Sequence, residues 1–250
     1  MKKIVCIGRG GAGKTVFISL LTRYLKDKGS ILLIDSDPDQ SLAEMLGINL
    51  EKEGIKTISE ILFDIRENIQ SSLESFPLPE RIEYLFNQDG IYEGRDFDLI
   101  SLGVKWTEGC YCQANNILKG IIERLEKNYD YVLIDSPAGL EHLNRRITSS
   151  LDIIFAIIDP SKKAQESLGR SYRIINETKI SFKDFFVIAN HRFSDSKLDS
   201  IDTKEFNFLG RLDYDENVER FNKDGISLFE LDEESSAVCS LRRILEKINL

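Results

Sequence analysis

The strongest constraint on this chain is the run Gly8-Arg9-Gly10-Gly11-Ala12-Gly13-Lys14-Thr15, which fits the pattern G-x-x-x-x-G-K-[ST]. It stands between two segments of different periodicity. Lys3–Ile7 is a short apolar run that reads as a β-strand. Val16, Phe17, Leu20, Leu21, Tyr24 and Leu25 keep helical spacing, and Gly29 ends that helix. Strand, glycine loop and helix in that order form the context a phosphate-binding loop requires. The glycines let successive backbone N–H groups turn inward around phosphate oxygens. The helix N-terminus adds a partial positive charge. Lys14 is then expected to reach the β- and γ-phosphates, and Thr15 to bind Mg²⁺. Residues 8–15 with Val16 are the expected nucleotide-binding segment.

The rest of the chain repeats the same alternation. Ile31–Ile34, Phe97–Leu102, Tyr131–Ile134, Ile153–Ile158 and Phe185–Ala189 are continuous apolar strands. Amphipathic helical stretches lie between them, near Asn115–Asn128 and Ala164–Glu177. Such strands are buried on both faces. The expected fold class is therefore α/β, a mostly parallel twisted sheet flanked by helices on both faces. Residues 1–250 read as one phosphate-loop domain. Residues 51–95, with Ile58, Ile61, Leu62, Ile65 and Ile69 and then Pro77 and Pro79, read as a helical insertion. That insertion either covers the sheet or offers a partner surface.

Net charge narrows the partners. Lys plus Arg against Asp plus Glu gives −9, which disfavours general binding to nucleic acid. No apolar run approaches the ~20 residues of a membrane span. The first residues are too short an apolar stretch for a signal peptide. A cytoplasmic protein without stable membrane association is expected, and in that compartment the four cysteines do not form a disulfide framework. The C-terminal stretch Val238, Leu241, Ile244, Leu245 and Ile248 is amphipathic. It suits the closing of a core better than a membrane surface.

Ligands of open parallel sheets bind at the carboxyl ends of the strands. Two acidic segments fall there: Asp35-Ser36-Asp37-Pro38-Asp39 after the second strand, and Asp135-Ser136-Pro137-Ala138-Gly139 after Tyr131–Ile134. Asp135 has the Walker B position, and Asp35 and Asp135 with Thr15 are the expected Mg²⁺ residues. Asp37 is placed to orient an attacking water, which makes Lys14, Asp37 and Arg9 the expected catalytic group. Asp39 reads as a helix cap.

These motifs together resemble the deviant Walker A ATPases of the MinD, ParA and nitrogenase iron-protein type. The resemblance implies an ATP-dependent homodimer with ATP hydrolysis as its activity. It also implies a signature lysine near the start of the loop that reaches the partner's phosphates. Arg9 occupies that position here and keeps the charge with a fork suited to phosphate. Asn190, at a later strand end, corresponds to the residue that reads adenine.

A second motif, Glu108-Gly109-Cys110-Tyr111-Cys112, follows the Phe97–Leu102 strand and precedes a helix. Two thiolates bind a soft metal ion, but Zn²⁺ or thiolate-bound Ni²⁺ wants about four ligands. A two-fold dimer supplies them by bringing two Cys-x-Cys loops together. With Ala138-Gly139-Leu140-Glu141-His142-Leu143, Asp159-Pro160-Ser161 and Gly210-Arg211-Leu212, this motif resembles the carbon monoxide dehydrogenase accessory ATPases of the CooC type. That resemblance implies ATP-dependent maturation of a nickel enzyme. Cys110 and Cys112 of two subunits would hold Ni²⁺ or Zn²⁺, and the client would be carbon monoxide dehydrogenase or a related nickel enzyme. Two other readings stand beside it: an iron-protein-like reductase with a dimer-shared [4Fe–4S] cluster, and a MinD/ParA-type positioning ATPase. His142 reads as a packed or solvated residue, and it is left out of the ligand set.

Overall fold

In a computed structural model of the chain, residues 1–37, 39–67, 75–103, 112–137, 150–177, 180–198, 201 and 206–250 are described, with 112–116 and 118 as backbone only. The elements alternate along the chain. β1 (Lys2–Gly8) leads to α1 (Lys14–Leu25), β2 (Ile31–Asp35), α2 (Ser41–Met45), α3 (Ile58–Arg66) and α4 (Leu78–Asp89). The short β3 (Tyr92–Glu93), β4 (Asp98–Ser101), α5 (Cys112–Leu125) and β5 (Tyr131–Asp135) follow. Then come β6 (Ser150–Ile158), α6 (Lys162–Glu177), β7 (Ser181–Ala189), α7 (Asp195–Leu198), β8 (Asn207–Arg211), α8 (Glu216–Asp224) and α9 (Ser236–Glu246).

The strands make one eight-stranded sheet in the order β3-β4-β2-β5-β1-β6-β7-β8. Every pairing is parallel except that of β3 with β4. β2 is buried at each of its positions, as a strand covered on both faces must be. Alternate side chains divide between two layers. Ile4, Leu33, Leu133 and Phe155 pack with Phe17 and Leu21 of α1 and with Leu241 and Leu245 of α9. Val5, Leu32, Val132 and Ile154 pack with Ile58 and Leu62 of α3, Ile82 and Phe86 of α4, and Leu168 of α6.

The segment read as an insertion therefore contributes two helices to the second layer. α3 opens with a capping box, in which Thr57 accepts from the Glu60 N–H while the Glu60 carboxylate accepts from the Thr57 N–H. Pro79 sits in the first turn of α4, where its missing N–H costs no hydrogen bond. The apolar face of α9, Val238, Leu241, Ile244 and Leu245, is buried in the core. Among the described residues no helix is long and apolar enough to cross a membrane.

Two strands extend beyond their apolar runs. β6 begins at Ser150 and β7 at Ser181, with Lys183 and Asp184 exposed on the latter. The amino-terminal half of β7 lies toward solvent, and β6 opens with exposed Ser150 and half-buried Asp152 around buried Leu151, so hydrophobicity alone stops short of both starts. β8 at the sheet edge is only partly buried and carries a bulge opposite Val187 and Ile188.

Candidate functional site

The carboxyl ends of β1, β2 and β5 converge on a cleft of about 650 Å³. Gly10 to Phe17 form one wall. The loop needs glycine for two separate reasons. A Cβ on Gly8 (φ +152°) would lie 2.5 Å from the Ile157 carbonyl oxygen on the adjacent strand. Gly13, with φ +101°, has a left-handed conformation as it opens α1, and no side chain caps that helix. The first N–H groups of α1 thus stay available to an anion. Lys14 is buried, with its ammonium 3.4 Å from the Arg9 carbonyl oxygen at the centre of the loop.

Beneath the loop the register aligns Cys6, Asp135, Asp35 and Ser101 across β1, β5, β2 and β4. Asp35 and Asp135 are fully buried. Asp35 Oδ1 accepts the Asp37 N–H at 3.0 Å, but Asp35 Oδ2 and both Asp135 oxygens have no hydrogen-bond partner among the described residues. Burial, with the Asp135 charge next, pushes the Asp35 carboxyl up to about 7. Burial pushes Asp135 up to about 6, against the Lys14 charge and the nearby Thr15 hydroxyl, which lies outside hydrogen-bond geometry but still lowers it. Buried carboxylate oxygens without donors fit a hydrated divalent cation, since Mg²⁺ keeps several waters whose O–H groups meet such acceptors. Asp37 lines the cleft, and its Oδ1 accepts the Asp39 N–H.

The far end of the cleft is built from segments distant in sequence. Asn190, His191, Leu212, Tyr214, Val218 and Ala237 line it. The Tyr214 ring is half-exposed and lies 5.5 Å from that of His191. Burial, then the Arg192 charge, lowers the His191 pKa. The rings of His191 and Tyr214 beside a phosphate loop suit a nucleotide base, with Asp213, Glu219 and Asn222 on the same lining as polar neighbours.

Residues 1–188 match the AAA domain family. The chain belongs to that family and is a P-loop ATPase of the MinD/ParA type. It is 36% identical over 255 residues to an uncharacterized ATP-binding protein of Methanocaldococcus jannaschii, covering 98% of this chain and 97% of the relative. It is 27% identical over 240 residues to the carbon monoxide dehydrogenase accessory protein CooC of Rhodospirillum rubrum, covering 92% of this chain and 90% of that protein. In three dimensions it is similar to a plasmid partition protein of Borrelia burgdorferi B31 solved with AMPPNP, with a TM-score of 0.74 and 22% identity over 99% of this chain and 98% of the other.

Within this P-loop ATPase the expected residues fall as follows. Gly8 to Val16, Asp35, Asp37, Asp135 and Asn190 all gather at one edge of the sheet. The Asn190 side chain also bonds within the protein. Its Nδ2 donates to the Ala12 carbonyl at 3.2 Å and its Oδ1 accepts the Arg192 N–H at 3.1 Å. The amide thus braces the phosphate loop against the exit of β7. Asp39 does not cap α2, whose N-cap is Gln40 in a left-handed conformation without a side-chain bond. Arg9 is held within its own chain: Nη1 donates to Ser161 Oγ at 3.1 Å and lies 3.8 Å from Asp159 Oδ2. A half-exposed ion pair at that distance is weak.

Cys110, Tyr111, His142 and the stretch 138–149 lie outside the described residues, and Cys112 contributes only its backbone at the start of α5. Among the described residues no group of three or more His, Cys, Asp and Glu side chains can hold a metal ion. Leu212, Tyr214, Val218 and Ala237 were not legible as site residues. The one sequence signal was the Gly210-Arg211-Leu212 strand end.

Proposed function

We propose that this ATPase is a homodimeric metallochaperone. In this reading Cys110 and Cys112 of two copies bind nickel or zinc between them, and ATP turnover assists nickel insertion into carbon monoxide dehydrogenase or a related enzyme. One observation carries it furthest: the chain leaves the sheet at the end of β4, beside Asp35, and the next element, α5, begins at Cys112, two residues after Cys110. The similarity to CooC of Rhodospirillum rubrum along 92% of the chain supports the same reading.

In the nucleotide site the backbone N–H groups of residues 10–15 and Lys14 bind the β- and γ-phosphates. Thr15, Asp35 and Asp135 hold Mg²⁺, which when bound offsets phosphate charge. Asp37 orients the attacking water by accepting one of its protons in a hydrogen bond. Arg9, released from Asp159 and Ser161, reaches the partner copy's phosphates. The two switch segments, Asp35–Asp39 and Asp135–Leu140, start from the same edge as the cysteine-bearing segment. Nucleotide state thereby alters the distance between the two cysteine pairs.

The test is a titration of Ni²⁺ and Zn²⁺ into the full chain and a Cys110→Ser/Cys112→Ser variant, with and without an ATP analogue, while molecular mass is tracked. One metal per dimer, lost in the variant, is expected. Metal binding unaffected by the double substitution refutes the reading. A brown protein with an iron–sulfur spectrum after anaerobic purification points instead to the reductase. An ATP-dependent dimer that binds no metal points to a positioning ATPase.

A further inference from the structure

The row of polar side chains beneath the phosphate loop does not end at the two aspartates. Ser101, the last residue of β4, is the register partner of Asp35, which is in turn the register partner of Asp135. Paired residues on neighbouring parallel strands project to the same face, with the strands about 4.8 Å apart. Ser101 is 1% exposed, and its hydroxyl has no hydrogen-bond partner among the described residues. The same holds for Asp35 Oδ2 on the neighbouring strand. A buried hydroxyl left unmet is unfavourable, and alanine would occupy this place without leaving a polar atom unmet. The serine and the carboxylates share one deficit, the lack of a ligand that brings O–H groups among them.

We propose that Ser101 is a positioning residue for the hydrated Mg²⁺ of the nucleotide site, extending its polar cage one strand beyond the two aspartates. This rests on reading Asp35 and Asp135 as the carboxylates that hold the ion's water shell. The Ser101 hydroxyl has one proton to donate to Asp35 and lone pairs to accept from a water of that shell. It acts through the carboxylate and does not touch the phosphates. The backbone supports such a role. Leu102, the next residue, donates its N–H to the Asp35 carbonyl at 2.8 Å, so the end of β4 is tied to the end of β2. The Mg²⁺ cage then reaches the strand that runs on into the Cys-x-Cys segment.

The test measures binding of a fluorescent ADP analogue to the full chain across a Mg²⁺ series and in EDTA. Wild type, Ser101→Ala and Asp135→Asn are compared, along with the ligand-free melting temperature of each. Ser101→Ala is expected to raise the Mg²⁺ concentration needed for half the effect by roughly ten-fold, the scale of one hydrogen bond to an ionic site. It should leave affinity in EDTA unchanged and should not lower the ligand-free melting temperature. A purely structural serine would instead lower the melting temperature and weaken both conditions alike, and that result overturns the proposal. So does Ser101→Ala with wild-type Mg²⁺ dependence beside an impaired Asp135→Asn. If Asp135→Asn also keeps wild-type Mg²⁺ dependence, the acidic pair is misread and the role of Ser101 falls with it.

Discussion

Asp35→Asn should stabilise the nucleotide-free protein at pH 8 and destabilise nothing at pH 4. The Asp35 carboxyl is fully buried beside Asp135, and burial followed by that charge raises its pKa from 3.8 to about 7. The gap, at 1.36 kcal/mol per pKa unit, is worth about 4 kcal/mol against the ionised form. The sign follows from proton counting. Between pH 3.8 and about 7 the folded state keeps the Asp35 proton while the unfolded chain has lost it. Stability therefore falls as pH rises through that window and levels off above it. Asparagine keeps the carbonyl that accepts the Asp37 N–H, and it carries no charge to desolvate. The variant-minus-wild-type stability, from urea denaturation without nucleotide or Mg²⁺, should thus grow from near zero at pH 4 to ~2–4 kcal/mol at pH 8. The lower figure allows for Asp135, whose own pKa relaxes when its charged neighbour is removed. Saturating Mg²⁺ and nucleotide should reverse the order, because only the wild type offers the ion a second carboxylate. A difference that stays flat from pH 4 to 8, or a variant less stable than wild type at pH 8 without ligand, would refute the reasoning.

Three further substitutions probe other parts of the fold. Gly8→Ala places a Cβ 2.5 Å from the Ile157 carbonyl oxygen in a backbone that disfavours side chains. It should lower stability by about 2–3 kcal/mol and weaken nucleotide binding at least about ten-fold, read by calorimetry and analogue titration. Lys3→Met strands Glu126, whose carboxylate now meets the Lys3 ammonium at 2.5 Å inside the protein. A loss of about 3–5 kcal/mol is expected in urea, and Lys3→Met/Glu126→Leu should recover most of it. Thr57→Ala breaks the capping box of α3 and should cost about 1 kcal/mol, with ATP hydrolysis measured at permissive temperature little changed.

The phosphate loop was legible because its chemistry needs unusual backbone angles, and those angles leave glycines in the sequence. Asp35 and Asp135 were legible because each ends an apolar run, and parallel sheets put their ligands at such ends. Ser101 also ends an apolar run, yet a lone serine there carries no signature. Its place beside Asp35 exists only once β4 is known to pair with β2. The wall of the cleft away from the phosphate loop is hidden for a related reason. Tyr214, Val218 and Ala237 come from a loop, α8 and the start of α9, and no local period links them. Asn190 marks the limit of position as a guide to role. It lines the cleft at the strand end expected of a base-reading residue, and its amide also bonds the loop backbone, a role its position alone does not indicate.

The helices between residues 58 and 89 bear on how nucleotide and cysteine segments communicate. The N-terminus of α3 grips the exit of β4. Ser59 donates both its N–H, at 3.1 Å, and its hydroxyl, at 2.8 Å, to the Leu102 carbonyl. Gly103, with φ +67°, lies so close that a Cβ would meet Thr57 Oγ1 at 2.5 Å. Leu102 is thus bound on one side to Asp35 and on the other to α3, just before the segment that carries Cys110 and Cys112. Were nucleotide binding to displace Asp35, these hydrogen bonds would pass the displacement to that segment, with α3 as the support. Coupling free energies are reciprocal, so if the proposed metal binds the cysteines it must change nucleotide affinity by the same factor that nucleotide changes metal affinity. If α3 only covers the sheet, loosening it with Ser59→Ala alters stability alone. If it is the support, the same substitution shrinks both factors together.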